Sequence, residues 1–441
     1  MSQAVFVLLL LLVMIVAFAS GKFNFGLISL SIPVVLQATG ILTAAEAWTG
    51  FSNTGILLFI PLFMLGTVLK KSSFLFRLKK LVAKLGSTRG GHIKVLLVFA
   101  VSAVLLANFM NATAAIALLA PMIVALSSED KSFSRRGVTK WCADIANASR
   151  QIFPFGLVLA EYAVTNAKLE AAGSPYRLRI LDPILSKTPF VLIWLAFMVF
   201  FGYRFYNKWS TADPMEESMA KDSSDSEGKE ERGTSLSPFM DKLAYFLFFG
   251  NVAAMLFGTM FTNIPILIWA FMFALTAVYV GIVTPRECID NMSWVSLLLA
   301  AGTMPLTTAI VKSGAQEYIA SAVGFFMRGN NSVFALSIVF YFFASITTQF
   351  MSDLASKEIY TSIALAATVG LGLDPRPVLM AVLIGAFASV LTPMANAGQA
   401  ICYGSGGYKF IEYIKAGLIP YLVYTVLFIV YQPIYMNLIL K

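Results

Sequence analysis

The chain has 441 residues, of which 58% are hydrophobic and 12% charged. Soluble domains hold roughly half apolar and about a quarter charged residues, so this balance excludes an ordinary water-soluble fold. The net charge of +9 would suggest nucleic acid as a partner of a soluble protein; here the basic residues gather in loops, as expected of one membrane face.

The apolar residues fall in runs of roughly 17–25, the length that spans a hydrocarbon core of about 30 Å. They lack the alternation of a membrane β-barrel. The sequence therefore predicts an all-α polytopic membrane protein. The run at 5–19 is read as a retained helix, because no basic residue precedes it as in a leader peptide. Spans at 25–42 and 55–69 follow. Residues 70–89 carry seven Lys and Arg interleaved with Phe and Leu, a pattern that suggests an amphipathic helix in the interface.

A stretch at 93–126 is too long for one crossing, since a straight helix of that length would reach ~50 Å. It is read as a re-entrant hairpin. Residues 141–164 form a span broken at Phe153-Pro154-Phe155-Gly156, where the freed backbone groups need protein, water or ligand. A span at 189–206 closes the first half. Residues 208–238, rich in Ser, Asp, Glu and Lys, read as a cytoplasmic linker.

The second half repeats this order. Three spans at 239–261, 264–283 and 294–311 lead to a short amphipathic piece at 312–328 and a hairpin at 333–371. A span at 378–403 is broken at Thr392-Pro393-Met394-Ala395-Asn396-Ala397-Gly398, and one at 421–436 ends the chain. The hairpin tips also match: Phe109-Met110 in one, Phe350-Met351 in the other. Five spans per half place 1–207 and 239–441 in opposite orientations. The expected architecture is thus an inverted repeat of about ten spans, two re-entrant hairpins and two broken helices, a pattern typical of secondary transporters. With both termini outside, inner segments hold twenty-two Lys and Arg against eight in outer ones, as the positive-inside rule requires.

No nucleotide-binding loop, zinc motif or nucleophile elbow occurs, so an enzyme is not expected. Cys142, Cys288 and Cys402 match no metal spacing, and His92 is the only histidine. The first tip offers Asn108, Asn111 and Thr113; the second offers Thr347, Thr348, Gln349, Ser352, Asp353 and Ser356. Their amides and hydroxyls can bind an anion, and their oxygens a cation, though such residues also join helices to one another. Arg150 is the natural anion partner, open to pairing with Asp144 or Glu161 instead. Asp353 stands four residues before Lys357, so a helical ion pair between them is the competing reading.

Nearly the whole chain, and most strongly its second half, resembles the divalent anion–sodium symporter family of the ion-transporter superfamily. The resemblance rests on Ser352-Asp353-Leu354-Ala355-Ser356, Thr392-Pro393-Met394-Ala395-Asn396-Ala397, Tyr403-Gly404-Ser405-Gly406-Gly407-Tyr408-Lys409 and Ile414-Lys415-Ala416-Gly417-Leu418. In the first half, Met110-Asn111-Ala112-Thr113 stands where that family has Ser-Asn-Thr. The resemblance implies a homodimeric elevator carrier in the cell membrane, moving a di- or tricarboxylate or sulfate-like anion by symport with sodium or protons. It implies substrate contacts at Asn108, Asn111, Thr113, Ser352, Asp353, Ser356 and Asn396. Cation contacts would fall at Asn111, Gly156, Ser352, Asp353 and Ala395, with a sodium ion as the one bound cofactor. Met110, Ala112, Asp353 and Leu354 depart from the family pattern, and a carboxylate at Asp353 repels a dianion unless it is neutralised or paired. The alternatives are the membrane subunit of a tripartite transporter and a cation–proton antiporter of the same superfamily.

Overall fold

The structure is a computed structural model. It describes the chain apart from residues 1, 21–22, 75–76, 78–91, 110–111, 114, 117–118, 120–122, 124–133, 155–156, 209–235, 327–331, 407 and 440–441. Every regular element among the described residues is a helix. In the first half these are α1 (Gln3–Ser20), α2 (Phe25–Ala38), the short α3 (Ala44–Ala47), α4 (Thr49–Ser52) and α5 (Thr54–Leu57), α6 (Phe59–Lys71), α7 (His92–Phe109), α8 (Arg135–Ala148), α9 (Leu157–Ala171), α10 (Asp182–Phe197) and α11 (Tyr203–Lys208). The second half holds α12 (Pro238–Phe261), α13 (Ile266–Tyr279), α14 (Pro285–Asp290), α15 (Trp294–Lys312), α16 (Ala315–Phe326), α17 (Val333–Thr347), α18 (Asp353–Gly370), α19 (Arg376–Ala386), α20 (Ala397–Gly406) and α21 (Phe410–Ile439).

Thr54–Lys71, Asp182–Tyr206 and Phe410–Leu438 are each long and apolar enough to cross a membrane alone. Among the described residues six further apolar helices run 10–17 residues, while α12 has 24 residues and α15 has 19. α15 turns by 86° into α16, as the amphipathic piece after the eighth predicted span requires. The second hairpin is the α17–α18 pair. Of the first hairpin α7 is described, while most of its second arm lies outside the described residues, as do most of the basic 70–89 segment and of the 208–238 linker.

Two predicted starts are corrected. The span expected from Pro189 begins at Asp182, with Pro183 in the first turn and Pro189 inside the helix. A first-turn proline costs no hydrogen bond, so Pro183 rather than Pro189 marks the true start. This moves Lys187 from an outer loop into a buried helix. The final span begins at Phe410 rather than 421. Glu412 and Lys415 look like loop charges, yet Tyr413 and Ala416, each next to one of them, are fully buried, and burial of that face carries the helix through.

Small residues let backbones meet, as in other helix pairs packed in lipid. A Cβ at Gly302 on α15 would sit 2.3 Å from the Ser29 carbonyl oxygen on α2, and one at Gly385 on α19 would sit 2.5 Å from the Tyr341 carbonyl oxygen on α17. The second contact packs the hairpin arm onto the broken span. Two large cores result. One joins α7, α8 and α10 to Tyr341, Ile384, Val390 and α21; the other joins α1, α2 and α15 to the hairpin helices α17 and α18. Each core therefore mixes residues of both halves. Gly385→Ala forces the backbones apart, and a loss of about 1–3 kcal/mol is expected as a lowered unfolding temperature of the purified protein in detergent.

Candidate functional site

Two breaks, at 149–154 after α8 and at 387–396 after α19, interrupt helices inside the protein. Each frees backbone groups that lipid cannot satisfy. The amide of Asn108, at the end of α7, fills two of these needs at once and also bonds its own helix. Its Nδ2 donates to the carbonyls of Val104 (2.8 Å) and Ser149 (2.9 Å), and its Oδ1 accepts from the Ile152 N–H at 3.1 Å. Gln349, at the tip of the second hairpin, makes the same set. Nε2 donates to the carbonyls of Ser345 (2.7 Å) and Ala388 (2.9 Å), and Oε1 accepts from the Leu391 N–H at 2.9 Å. In both cases the amide grips the carbonyl four residues earlier, then a carbonyl and the N–H three residues after it in the break.

The tips and breaks also meet across the halves. Arg150 in the first break pairs with Asp353 at the start of α18, Nη2 to Oδ2 at 2.7 Å. Asn147, in the last turn of α8, donates to the Ser389 carbonyl at 3.1 Å and to the Ser389 hydroxyl in the second break. Asn396 donates to Asn147 Oδ1 at 3.1 Å and to Ser389 Oγ at 3.3 Å. A Cβ at Gly398 would lie 3.3 Å from the Thr113 Cα, which brings the first hairpin against the second break.

The charges near these breaks are buried and mostly balanced. Lys140 pairs with Asp144 at 2.6 Å, and Asp144 also accepts from Tyr206 (2.6 Å) and Gln399 (2.9 Å). Lys357 pairs with Glu161 (2.6 Å) and Glu358 (2.9 Å), while Lys168 also pairs with Glu358. Lys187 is different. It is fully buried, donates to the Arg150 carbonyl at 2.8 Å, and has no carboxylate within 4 Å among the described residues. Lys187 and Arg150 both stand over the Phe387 ring, 5.0 and 4.2 Å from its centroid. Next to Arg150 in the chain, Gln151 adopts φ 62°, the one positive φ outside glycine among the described residues. Ser149 Oγ and Gln151 Oε1 are buried there without hydrogen-bond partners. Strained backbone and orphaned oxygens of this kind gather where ligands bind.

The predicted site residues divide accordingly. Asp353 lies at the convergence, paired with Arg150, so neither an Asp353–Lys357 pair nor a pairing of Arg150 with Asp144 or Glu161 forms. Ser352 caps α18 without a side-chain bond, leaving its hydroxyl available. Thr113 and the buried Ala395 lie beside the second break. Asn108, Ser356 and Asn396, expected to face a solute, are spent on the protein. Ser356 donates to the Ala344 carbonyl and meets Thr347 Oγ1, each at 3.0 Å. Asn111 and Gly156 lie outside the described residues. Reasoning from sequence missed Lys187, Asn147, Ser389 and Gln399. Lys187 was hidden by the misplaced helix start, and the other three resemble ordinary polar residues of a span.

A family model for citrate transporters matches residues 10–385. The chain belongs to the citrate transporter family. An uncharacterized transporter of Haemophilus influenzae is 24% identical over 95% of this chain and 89% of its own length. One from Synechocystis is 29% identical over 35% of this chain, a match that spans a quarter of that relative. Two solved transporters share the fold at low identity. Neisseria gonorrhoeae MtrF, from a class of antimetabolite efflux pumps, aligns with TM-score 0.62 at 12% identity over 98% of this chain and 95% of its own. Alcanivorax borkumensis YdaH aligns with TM-score 0.57 at 11% identity over 96% of this chain and 98% of its own. This family member therefore has the fold of a helical membrane transporter.

Two outcomes are expected. Asn108→Leu and Gln349→Leu each orphan a buried carbonyl and N–H, at about 1–3 kcal/mol per group, so both variants unfold at lower temperature in detergent; a drop in only one would show that the breaks are held differently. Lys357→Met strands Glu161 and costs about 3–5 kcal/mol. Adding Glu161→Gln recovers part of that loss in a double-mutant cycle.

Proposed function

We propose that this family member is a secondary carrier of a small di- or tricarboxylate or sulfate-like anion, coupled to sodium or protons. The observation that carries the reading is the charge at the convergence of tips and breaks. The partly buried Arg150 pairs with the carboxylate of Asp353, and the fully buried Lys187 lies beside them on the Arg150 carbonyl. Arg150 supplies a planar fork suited to a carboxylate or sulfate. The hydroxyls of Ser149 and Ser352 can donate to the same anion, and the orphaned Gln151 oxygen is a suitable ligand for a sodium ion. The absence of a nucleotide-binding loop leaves ion gradients as the driving force.

The matched bonds of Asn108 and Gln349 support the inverted-repeat reading of 1–207 and 239–441, with multi-pass insertion in the cell membrane. Elevator motion and a homodimer follow from the family resemblance alone. In proteoliposomes, uptake of radiolabelled citrate, succinate or sulfate tests the proposal. Arg150→Gln is expected to weaken the transported anion roughly 30-fold or more, with Arg150→Lys intermediate because it keeps charge but loses the fork. Unchanged uptake in Arg150→Gln would sink the reading.

A further inference from the structure

Away from the breaks, a cavity of about 410 Å³ opens between α5, α9 and the start of α13. The distribution of Lys and Arg puts the turn before α5, the end of α9 and the start of α13 on the outer face, and the cavity runs inward from there. Glu170, Asn166 and Tyr162 line it at successive turns of α9. Leu159 lies about 16 Å deeper than Glu170 along the helix axis. Asn53 and Thr54 stand at the rim, with Leu58 one turn further in. Ile180 and the first turn of α13, Ile266 to Ile268, supply an apolar wall. The space exists because the α9 residues beside α5 are small. A Cβ on Gly55 would fall 2.7 Å from the Ala163 carbonyl, so the two backbones touch there, and Ala163 and Ala167 leave room next to that contact.

The polar groups of the rim are not equivalent. Asn53 Oδ1 accepts from the N–H groups of Gly55 at 2.9 Å and Ile56 at 3.4 Å. Asn166 Nδ2 donates to the Leu178 carbonyl at 3.2 Å, and its Oδ1 accepts from the Leu178 N–H at 2.8 Å. The Glu170 carboxylate has neither hydrogen bond nor ion pair among the described residues. Lys168, two residues before it, is held by Glu358. Glu170 also gains nothing from its own helix, because a carboxylate in the last turn faces the negative end of the dipole. It is the one charged residue among those lining the cavity.

We propose that this cavity binds one phospholipid of the outer leaflet whose headgroup ends in a primary ammonium, as in phosphatidylethanolamine. The ammonium meets Glu170 at the rim. One acyl chain lies inward along Ala167, Ala163 and Leu159, against Ile266 and Leu267. Charge at the surface and methyl groups at depth are the order of an amphiphile standing in a bilayer. A solute site has the opposite order, with its polar groups converging at mid-depth. The same carboxylate disfavours an anionic lipid, whose phosphate has no ammonium beside it to meet Glu170. Occupancy also has a consequence within the protein. α9 carries Glu161 and Lys168 as well, and these pair with the hairpin helix α18, so a filled cavity braces the helix that holds the hairpin.

The experiment is native mass spectrometry of the full-length protein in detergent, titrated with phosphatidylethanolamine or phosphatidylglycerol of identical acyl chains. The wild type should retain one phosphatidylethanolamine per chain, about threefold or more tighter than phosphatidylglycerol, the preference expected of one exposed ion pair. Its unfolding temperature should rise with added phosphatidylethanolamine. Glu170→Gln, at an exposed position, should fold as the wild type does and lose the preference. Ala167→Trp fills the space and should abolish retention of that one lipid; if it fails to fold, Ile266→Trp fills the space from the opposite wall. Equal retention of the two lipids by the wild type, or a preference that survives Glu170→Gln, overturns the proposal. So does a folded, filled variant that holds phosphatidylethanolamine as tightly as the wild type.

Discussion

Helices broken inside lipid create a debt of unpaired backbone groups, and the rest of this structure depends on how that debt is met. A broken helix is useful to a transporter because its ends present partial charges and free polar groups at mid-membrane depth. It is stable only when each remaining N–H and carbonyl has a partner. Asn108 and Gln349 answer this with one amide apiece, each clamping a carbonyl and an N–H in the facing break. The hairpins are therefore more than a wall of the site. They hold the breaks open and in place.

A second constraint follows from the first. Once the breaks are held against the tips, charges from distant parts of the chain are forced together in a region of low dielectric. Most cancel locally, and the partners come from different elements: α9 supplies Glu161 and Lys168, and α18 supplies Lys357 and Glu358. Thr303 on α15 adds a hydrogen bond to Glu358 at 3.0 Å, tying the packed α2–α15 pair to the hairpin. Buried pairs of this kind contribute little net stability against apolar residues of the same volume. They fix which helix faces which, because any other register would strand a charge. Against that balanced background Lys187, held only by the Arg150 carbonyl among the described residues, is the exception.

Much of this was legible beforehand. Runs of span length, the proline-containing breaks and the matched hairpin tips are local patterns; the second hairpin lies where they placed it, and the two breaks begin four and five residues before the proline motifs. Arg150 was visible as an anion partner because an arginine inside an apolar span has few other reasons to be there. The roles of individual amides were not legible. Asn108 and Asn111 are chemically alike and three residues apart, and nothing local says that Asn108 turns to the Ser149 and Ile152 backbone. Lys187 was misread for a different reason: two prolines near one helix start gave two plausible boundaries, and the choice between them decided whether a lysine was loop or core.

By itself, then, the sequence determined that the chain lives in a membrane as a helical carrier-like protein with polar tips and broken spans, because hydrophobic length and proline position act over a few residues. Only the tertiary structure decided which buried charges pair. Asp353 had Lys357 within one helical turn and Arg150 two hundred residues away, and chose the distant partner. Glu161 and Glu358 already hold Lys357, and that competition among buried charges exists only after the helices have packed.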